Sequence, residues 1–392
     1  MIGSLAISAL ADRLRRSSGL AAKSDVASVV RSLGLSGGDV IPVGDDCAAI
    51  PDGQGYLLFA IEGLMNEFVA GDPWFAGWCG AMVNISDIAA MGGRPLAIVN
   101  AIWADGETGA APVLAGLKAA ARAYGVPVVG GHTNFHTDRG QLSAAILGRA
   151  RCLLTSFDAA PSDRLIAAID LRGRYREPFS NWDAATDAPH ERLRGDLEIL
   201  AAIAEAGLAS AAKDISQGGI VGTAAMFAEC SGVSIDLDLS AIPLPRDIEL
   251  DRWLLTFPSF GYLLSVRPDN VAAVISRFAN RGIAAGDVGL VSGGGHVTVR
   301  QGQCSETIWD FGEKSLIGAR SRAGFAPEGV SHPDPAPDRI STAQLHCADD
   351  FGSASGVSSS SQSTLPRTQS TNGPQILAES SVVRVSDTSG HR

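Results

Sequence analysis

An Asn and an Asp stand inside an apolar segment, in the stretch NISDIAAMGG at residues 84–93. Gly80, Asn84, Asp87 and Met91 are spaced by four, three and four residues, so a helix would place them on one face. A buried carboxylate without a partner is costly, so Asp87 needs a cation, a metal ion or several hydrogen-bond donors. A structural cap on a nearby loop is the alternative interpretation.

Three further carboxylates stand near the ends of predicted elements. Asp45 and Asp46 occupy a Gly-led turn in VGDDCAAI, and Glu62 ends a predicted strand, YLLFAIEG. Together with Asp87 they could converge on a hard cation such as Mg²⁺, which prefers oxygen ligands and usually keeps water and substrate phosphate. Taken singly, each also fits an ordinary loop or a solvated strand end.

A Gly-Gly pair ends the predicted strand VPVVGG and is followed by His and Thr. Gly130 and Gly131 would let the backbone approach a ligand closely. His132 could donate to a phosphate oxygen or move a proton. The alternative is a tight turn with a hydrogen-bonded His.

A second Gly-Gly pair, in AAKDISQGG, opens a predicted helix. The free N–H groups at a helix start, here at Gly218 and Gly219, bind anions. Lys213 lies a few residues earlier in the chain and could contact a bound phosphate. The alternative is a surface lysine with Asp214 as a helix cap. The chain has no G-x-x-x-x-G-K-[ST] loop, and its SGGGHVTV stretch at 292–299 predicts a hairpin, so ATP would bind by another route.

These residues need a scaffold in which strands and helices alternate. That order is present from about 39 to 155 and again from about 162 to 318. It predicts an α/β fold of two domains with a cleft between them. Before them, Ser24 is predicted to cap a helix that Gly34 ends.

The overall composition excludes several classes of protein. The net charge of −11 among 392 residues argues against a nucleic-acid binder or a protein of anionic membranes. No stretch of about twenty residues is purely apolar, and no signal peptide is evident. The six Cys form no C-x-x-C pair, which argues against a structural zinc site and a disulfide scaffold. This use of Cys is typical of a protein of the reducing cytoplasm.

Four motifs, VGDDCAAI, NISDIAAMGGRP, VVGGHT and KDISQGG, resemble in order and spacing the aminoimidazole ribonucleotide (AIR) synthase superfamily, which includes thiamine-monophosphate kinase and selenophosphate synthetase. The resemblance implies an α/β (α+β) fold: an N-terminal mixed-sheet domain that pairs across a dimer into a shared β-barrel, and a C-terminal α/β domain. The boundaries expected are a helical lead-in at 1–37, an ATP- and Mg-binding domain at 38–160, a C-terminal domain at 161–322 and a disordered Ser- and Pro-rich tail at 323–392.

The resemblance also implies a site that binds ATP and Mg²⁺. The implied metal ligands are Asp45, Asp46, Glu62 and Asp87; the cofactor-binding residues are Asn84, Gly130, Gly131, Thr133, Lys213, Gly218 and Gly219; and the catalytic residues are Asp87, His132 and Asp214. A polar, irregular stretch, REPFSNWDAAT, suggests substrate contacts from Arg176, Asn181 and Trp182, with an ordinary exposed loop as the alternative.

We therefore expect an ATP- and Mg-dependent phosphoryl-transfer enzyme, either a kinase or an ATP-driven synthase, that acts on a small molecule. The resemblance implies a homodimer, the cysteine pattern favours the cytoplasm, and no nucleic-acid or membrane partner is expected. Glu62 stands where relatives have Asp, and His132 stands where thiamine-monophosphate kinases have Asp. These two substitutions motivate the alternative of a non-catalytic nucleotide-binding relative that serves as a regulatory or scaffold subunit.

Overall fold

Two large mixed β-sheets organise the part of the chain described by the computed structural model, residues 4–35 and 43–318. The helices are α1 (Ser4–Arg15), α2 (Ser18–Ser32), α3 (Asn66–Gly71), α4 (Pro73–Ala90), α5 (Gly106–Tyr124), α6 (His190–Glu205), α7 (Gly219–Ser231), α8 (Leu250–Trp253) and α9 (Val271–Ala279). The strands are β1 (Ala48–Asp52), β2 (Gly55–Leu64), β3 (Arg94–Asp105), β4 (Val128–Asn134), β5 (His136–Ala150), β6 (Arg164–Ile169), β7 (Arg174–Tyr175), β8 (Asn181–Asp183), β9 (Ala211–Asp214), β10 (Ser234–Asp238), β11 (Phe257–Pro258), β12 (Gly261–Val266), β13 (Ala284–Ser292), β14 (His296–Gln301) and β15 (Cys304–Asp310).

Each domain contributes one of the large sheets. The first has five strands in the order β1-β2-β5-β3-β4, of which only β3 and β4 pair in parallel. The second has seven strands in the order β15-β14-β10-β13-β6-β12-β9. A small third sheet has three strands in the order β11-β8-β7. The mixed strand pairing and the presence of two separate large sheets confirm the predicted two-domain α/β fold.

Helix α4 is the central element of the first domain. Pro73 occupies its first turn, and the Asp72 side chain accepts a hydrogen bond from Phe75 N at 3.1 Å. All residues from Phe75 to Ala90 are buried. A Cβ at Gly77 would stand 1.9 Å from the Val113 carbonyl oxygen, so only Gly lets α4 and α5 cross this closely.

The two faces of the five-stranded sheet differ in their exposure. Helices α4 and α5 pack against one face, where Ile98 and Ile102 are buried. The other, here called the open face, carries apolar side chains that are exposed within this chain. The open face is defined by Phe59, Ile61, Val99 and Leu147.

Helices cover both faces of the seven-stranded sheet. Leu165 and Ile169 of β6 pack in one core with residues of α7, whereas Ile166 packs in another with residues of α6 and α9. This alternation is the side-chain period of a strand buried on both faces. It explains the nearly continuous apolar run that the sequence shows at β6.

The N-terminal segment differs from its prediction. It forms two helices, and Ser17 rather than Ser24 caps α2 by accepting from Leu20 N at 3.4 Å. Ser24 lies inside α2, where its hydroxyl donates to the Ala21 carbonyl at 2.7 Å. A Ser that bonds back to the preceding turn is compatible with a continuing helix. Gly34 follows the helix end with a φ of 68°, as predicted.

The stretch at 292–299 enters a hairpin through β14, which pairs with β15 antiparallel, but its Gly residues do not form a hairpin turn. Strands β13 and β14 flank the Gly-rich stretch, but β10 lies between them, antiparallel to β13 and parallel to β14. The Gly residues therefore cross over the end of a strand that comes from earlier in the chain. The predicted tail at 323–392 lies outside the described residues, and none of the described helices is long and apolar enough to span a membrane.

Candidate active site

Three carboxylates from different parts of the chain converge at one point. Asp46 precedes β1, Asp87 lies on α4, and Asp214 ends β9 in the second domain. One ligand atom from each lies within 4.8 Å of the others. We call these three residues the acid cluster. Its position between α4 and β9 means that both domains are needed to build it.

The acid cluster contains a buried oxygen without a partner. Asp214 Oδ2 is inaccessible to solvent and accepts no hydrogen bond from the described residues. Burial, followed by the charge of Asp46, raises the pKa of Asp214 to about 8. Burial, together with Asp214 and Glu62, holds the pKa of Asp87 well above its usual range. Such a site favours a bound cation, because a cation would stabilise the ionised form of all three groups.

Lys213 supplies one positive charge to the acid cluster. It is buried, and its Nζ forms an ion pair with Asp46 and lies 3.5 Å from Ser156 Oγ. Burial opposes its charge, but Asp46 and Asp45 raise the pKa of Lys213 above its usual value. The alternative of a surface lysine is therefore wrong.

Asp45 and Glu62 lie beside the acid cluster. Asp45 accepts hydrogen bonds from Ser156 N at 2.9 Å and Ser156 Oγ at 2.6 Å, which fixes the turn that precedes β1. Burial and the charge of Asp46 raise the pKa of Asp45 to about 6. Glu62 is half-buried on β2; burial raises its pKa, Lys23 lowers it, and Asp46 raises it further.

Asn84 links α4 to the sheet one turn before Asp87. Its Nδ2 donates to the carbonyl oxygens of Gly80 at 2.8 Å and Ala144 at 3.1 Å. Its Oδ1 is buried without a hydrogen-bond partner among the described residues. Asn84 therefore holds the helix in register with β5 and leaves a polar atom unused near the acid cluster.

The second Gly-Gly pair opens α7, as predicted, but Lys213 and Asp214 belong to the preceding strand. Gly218 is the N-cap with a φ of 107°, and Gly219 has a φ of 65°. Both angles lie in the left-handed region that favours Gly. Residues 215–217 separate Asp214 from this turn, so its carboxylate belongs to the acid cluster rather than to a helix cap.

The first Gly-Gly pair lies within a strand, so the tight turn offered as its alternative is wrong. Gly130, Gly131, His132 and Thr133 all belong to β4, the edge strand beside β3. His132 pairs with Ala101, which places its exposed ring on the open face, 5.9 Å from the Trp103 ring. The group of three carboxylates found within the described residues does not include His132.

The predicted substrate stretch is partly folded into the core. Trp182 is buried in β8, and its indole N–H donates to the Asp170 carbonyl at 3.0 Å. The Arg176 guanidinium forms an ion pair with Asp72 at 2.9 Å, and the Arg176 backbone N–H donates to the Asn181 carbonyl oxygen at 2.9 Å. Neither a substrate contact nor an exposed loop describes Trp182, because its ring is buried and packs against Trp253.

Two residues at the site were not selected from the sequence. Ser156 binds Asp45, and Lys23 of α2 donates to Ser216 Oγ at 3.2 Å, two residues after Asp214. Lys23 is one of only four lysines in the chain, which is the signal that could have drawn attention to it. Ser156 carries no such signal.

Comparison with known proteins shows two matched domains. The N-terminal domain of AIR synthase related protein matches residues 44–150, and the C-terminal domain of AIR synthase related protein matches residues 177–302. The chain is 46% identical to the uncharacterized protein sll0787 of Synechocystis over 72% of this chain and 88% of that protein. It is 32% identical to the uncharacterized protein MJ0640 of Methanocaldococcus jannaschii over 78% and 98%. A thiamine-monophosphate kinase from Methanospirillum hungatei is 31% identical over 53% and 72%.

Solved structures share the fold. PurL from T. maritima complexed with ATP has a TM-score of 0.58 and 16% identity, covering 77% of this chain and 51% of its own. The structure of AaThiL complexed with AMPPCP and TMP has a TM-score of 0.54 and 20% identity, covering 72% and 94%. This chain therefore spans about half the length of the PurL chain and nearly all of the AaThiL chain.

Proposed function

This chain belongs to the AIR synthase related protein family, and we propose that it is an enzyme that uses ATP and Mg²⁺ to transfer a phosphoryl group to a small molecule. The observation that carries the proposal is the convergence of Asp46, Asp87 and Asp214 from two domains. A kinase among the relatives and two nucleotide-bound structures support ATP as the phosphoryl donor.

Mg²⁺ fits the donor set of the acid cluster. It prefers carboxylate oxygens and is typically held by one or two carboxylates with substrate phosphates and water. Because a buried polar atom without a partner costs about 1–3 kcal/mol, the orphaned Asp214 oxygen supports a cation ligand. When bound, Mg²⁺ would neutralise charge on the transferring phosphoryl group.

The surrounding residues would position the anionic end of the nucleotide. The start of α7, at Gly218 and Gly219, follows Asp214 by a short segment, and the positive end of a helix suits phosphate oxygens. Lys213 would add a buried positive charge, and Asn84 would keep Asp87 in place. We assign His132 no role at the acid cluster, because its ring lies on the open face.

We also propose that a second copy of the chain covers the open face. Phe59 and Ile61 are 49% and 66% exposed, and Leu147 stands beside Phe59 across the β2–β5 pair. An apolar sheet face of this kind is typical of a protein interface. Sedimentation of the wild type is expected to give a dimer and of Phe59→Glu a monomer; a monomeric wild type would reject this interface.

Phosphorus NMR provides the test of activity. ATP and MgCl₂ are incubated with the full chain and fractionated metabolite pools, and a new phosphorus resonance is sought. The expected result is a product that forms with wild type and not with Asp87→Asn. Equal product formation by both proteins would reject the acid cluster as the reaction centre.

The Lys213–Asp46 ion pair favours a second candidate function. It already neutralises one of the three proposed ligands, as expected of a relative that binds a nucleotide without turning it over. In that case the full chain would bind ATP, and no metabolite pool would yield a phosphorylated product. Detection of such a product would exclude this candidate.

A further inference from the structure

Lys23 lies at the acid cluster although it comes from a helix outside both matched domains. Its Nζ donates to Ser216 Oγ at 3.2 Å, on the segment that joins Asp214 to α7. Burial raises the pKa of both Asp214 and Glu62, and the charge of Lys23 acts in the opposite direction on each. The ammonium group is therefore within electrostatic reach of two carboxylates of the site, and its hydrogen bond to Ser216 places it two residues along the chain from Asp214.

The start of α2 is fixed against the segment that carries the site. A Cβ at Gly19 would stand 2.7 Å from both Cα and N of Gly218, so the two backbones are in direct contact. Leu20, next along the helix, is buried and packs near Gly222. Gly19 and Lys23 are four residues apart and share one face of α2. The contact at Gly218 therefore sets where the Lys23 ammonium lies.

The Lys23 ammonium group has fewer charged partners than the Lys213 ammonium group. Lys213 is committed to Asp46. Within residues 4–35 and 43–318, Lys23 has Ser216 as a neutral partner and forms no ion pair within 4.0 Å. An ammonium group has three donors, so Lys23 retains donors for a ligand. A half-buried cation that faces a carboxylate-rich site without an ion-pair partner is suited to bind an anion there.

The negative charge of the site also favours a second positively charged residue, in addition to Lys213. Asp45, Asp46, Glu62, Asp87 and Asp214 are all carboxylates. When they are ionised, two ammonium groups and one divalent cation leave a net charge near −1. Loss of Lys23 would make this charge more negative and would repel a polyphosphate more strongly. Lysine is a common ligand of phosphate and acts as a point charge.

We propose that Lys23 binds the phosphoryl oxygens of the metal–nucleotide complex, so that the N-terminal helix pair forms part of the active site. This proposal deepens the proposed function and depends on it. Lys23 acts by electrostatic attraction and hydrogen bonding, and it undergoes no covalent step. The helix pair thus contributes to nucleotide affinity as well as covering the second domain.

Binding of AMPPCP to Lys23→Met in the full chain tests the proposal. Calorimetry measures the affinity for AMPPCP in MgCl₂, and thermal unfolding measures the response to MgCl₂ alone. The expected result is a loss of AMPPCP affinity of at least tenfold with a Mg²⁺ response at least as large as in wild type, because a nearby positive charge has been removed. Lys23→Arg is expected to restore affinity to within about threefold. Arg31→Met, an exposed basic position on the same helix, is the matched control and is expected to stay within twofold.

Two results would overturn the proposal. One is AMPPCP binding by Lys23→Met within twofold of wild type. The other is loss of both AMPPCP binding and the Mg²⁺ response in a folded variant, which would make Lys23 a support of the acid cluster. Lys23→Gln, which keeps a donor for Ser216, is measured in parallel in case Lys23→Met does not fold. If wild type itself binds no AMPPCP, the proposed function fails first, and this proposal fails with it.

Discussion

Two regions of the molecule bury carboxylates, and they treat them differently. In the second domain, Asp170 and Asp196 are met by guanidinium groups: Arg172 bonds Asp170 at 2.7 Å and Arg281 bonds Asp196 at 2.7 Å. Arg192 lies 3.4 Å from Asp170. We call these five residues the arginine network. The acid cluster buries three carboxylates as deeply and has one ion pair, Lys213–Asp46.

The buried carboxylates of the arginine network stabilise the fold, whereas those of the acid cluster are suited to bind a cation. Burial raises the pKa of Asp196, but Arg281, Arg172 and Arg192 all act to lower it. In the acid cluster, burial and neighbouring carboxylates both raise the pKa of Asp87 and of Asp214, and that of Asp214 reaches about 8. The arginine network sets three guanidinium groups against two carboxylates, whereas the acid cluster sets one ammonium group against three. The difference predicts that mutations in the two regions will change different properties.

The largest expected effect is on activity, from Asp87→Asn. We expect turnover to fall by about 10²- to 10³-fold, in the range for loss of one group that stabilises transition-state charge. The unfolding free energy should not fall, because the variant removes a repulsive charge from the acid cluster. Steady-state kinetics and chemical denaturation measure the two quantities. A stable variant with full activity would remove the distinction between the regions.

Asp196→Asn in the arginine network is expected to do the opposite. It weakens the charge-assisted bond from Arg281 and leaves the arginines underpaired, so the unfolding free energy should fall by about 2–3 kcal/mol. This is less than the ~3–5 kcal/mol typical of a fully buried pair, because the guanidinium groups are partly exposed. Denaturation curves check the value, and kcat at a permissive temperature should match wild type. A loss of kcat without a loss of stability would contradict this assignment.

The pH dependence of stability should also separate the regions. Because the pKa of Asp214 is raised from 3.8 to about 8, the folded state keeps a proton that the unfolded chain releases above about pH 4. The metal-free protein should therefore lose at least about 1.4 kcal/mol, the value of one pKa unit, as pH rises from 4 to 8. Mg²⁺ should stabilise more at pH 8 than at pH 5, since it competes with protons for the carboxylates.

Denaturation series in EDTA and in MgCl₂ measure this dependence. Asp214→Asn should flatten the metal-free profile more than Asp196→Asn does, because the arginines oppose the effect of burial on the pKa of Asp196. A metal-free stability that rises over this range in wild type would count against a deficit of positive charge in the acid cluster.

The smallest expected effect concerns Trp182, which connects to the arginine network through the Asp170 carbonyl. Trp182→Phe loses the indole N–H bond and should lower the unfolding free energy by about 1 kcal/mol for the hydrogen bond, with a further cost for lost packing. KM for the phosphoryl acceptor should not change, because the ring lies in the core. A raised KM with unchanged stability would instead restore Trp182 as a substrate contact.

Much of the site could be predicted because its motifs obey local rules. An apolar helix with Asn84 and Asp87 on one face raises the question of a partner for the carboxylate, and the structure brings Asp46 and Asp214 to it. Pro73 and Gly92 mark the ends of that helix by their fixed conformational preferences. Each of these signals depends on residues that are close together in the sequence, so it can be recognised without knowledge of the tertiary fold.

The parts that were missed depend on contacts between distant residues. Lys23 reaches Ser216 across 193 positions of sequence, and only the packing of α2 on Gly218 brings them together. The Gly-rich stretch before β14 reads as a hairpin, but strand β10 inserts between its arms. His132 reads as a turn residue, yet strand alternation places it on the open face. Local sequence does not encode these positions.

Calorimetric titration of ATP into the full chain, once with MgCl₂ and once with EDTA, tests whether a metal ion joins the acid cluster to the nucleotide. Because the acid cluster carries more negative than positive charge, we expect heat of binding with Mg²⁺ and none with EDTA. The Mg²⁺-dependent signal should disappear in Asp214→Asn. Equal binding in EDTA, or equal binding by the variant, would contradict a site in which a metal ion joins these carboxylates to the nucleotide.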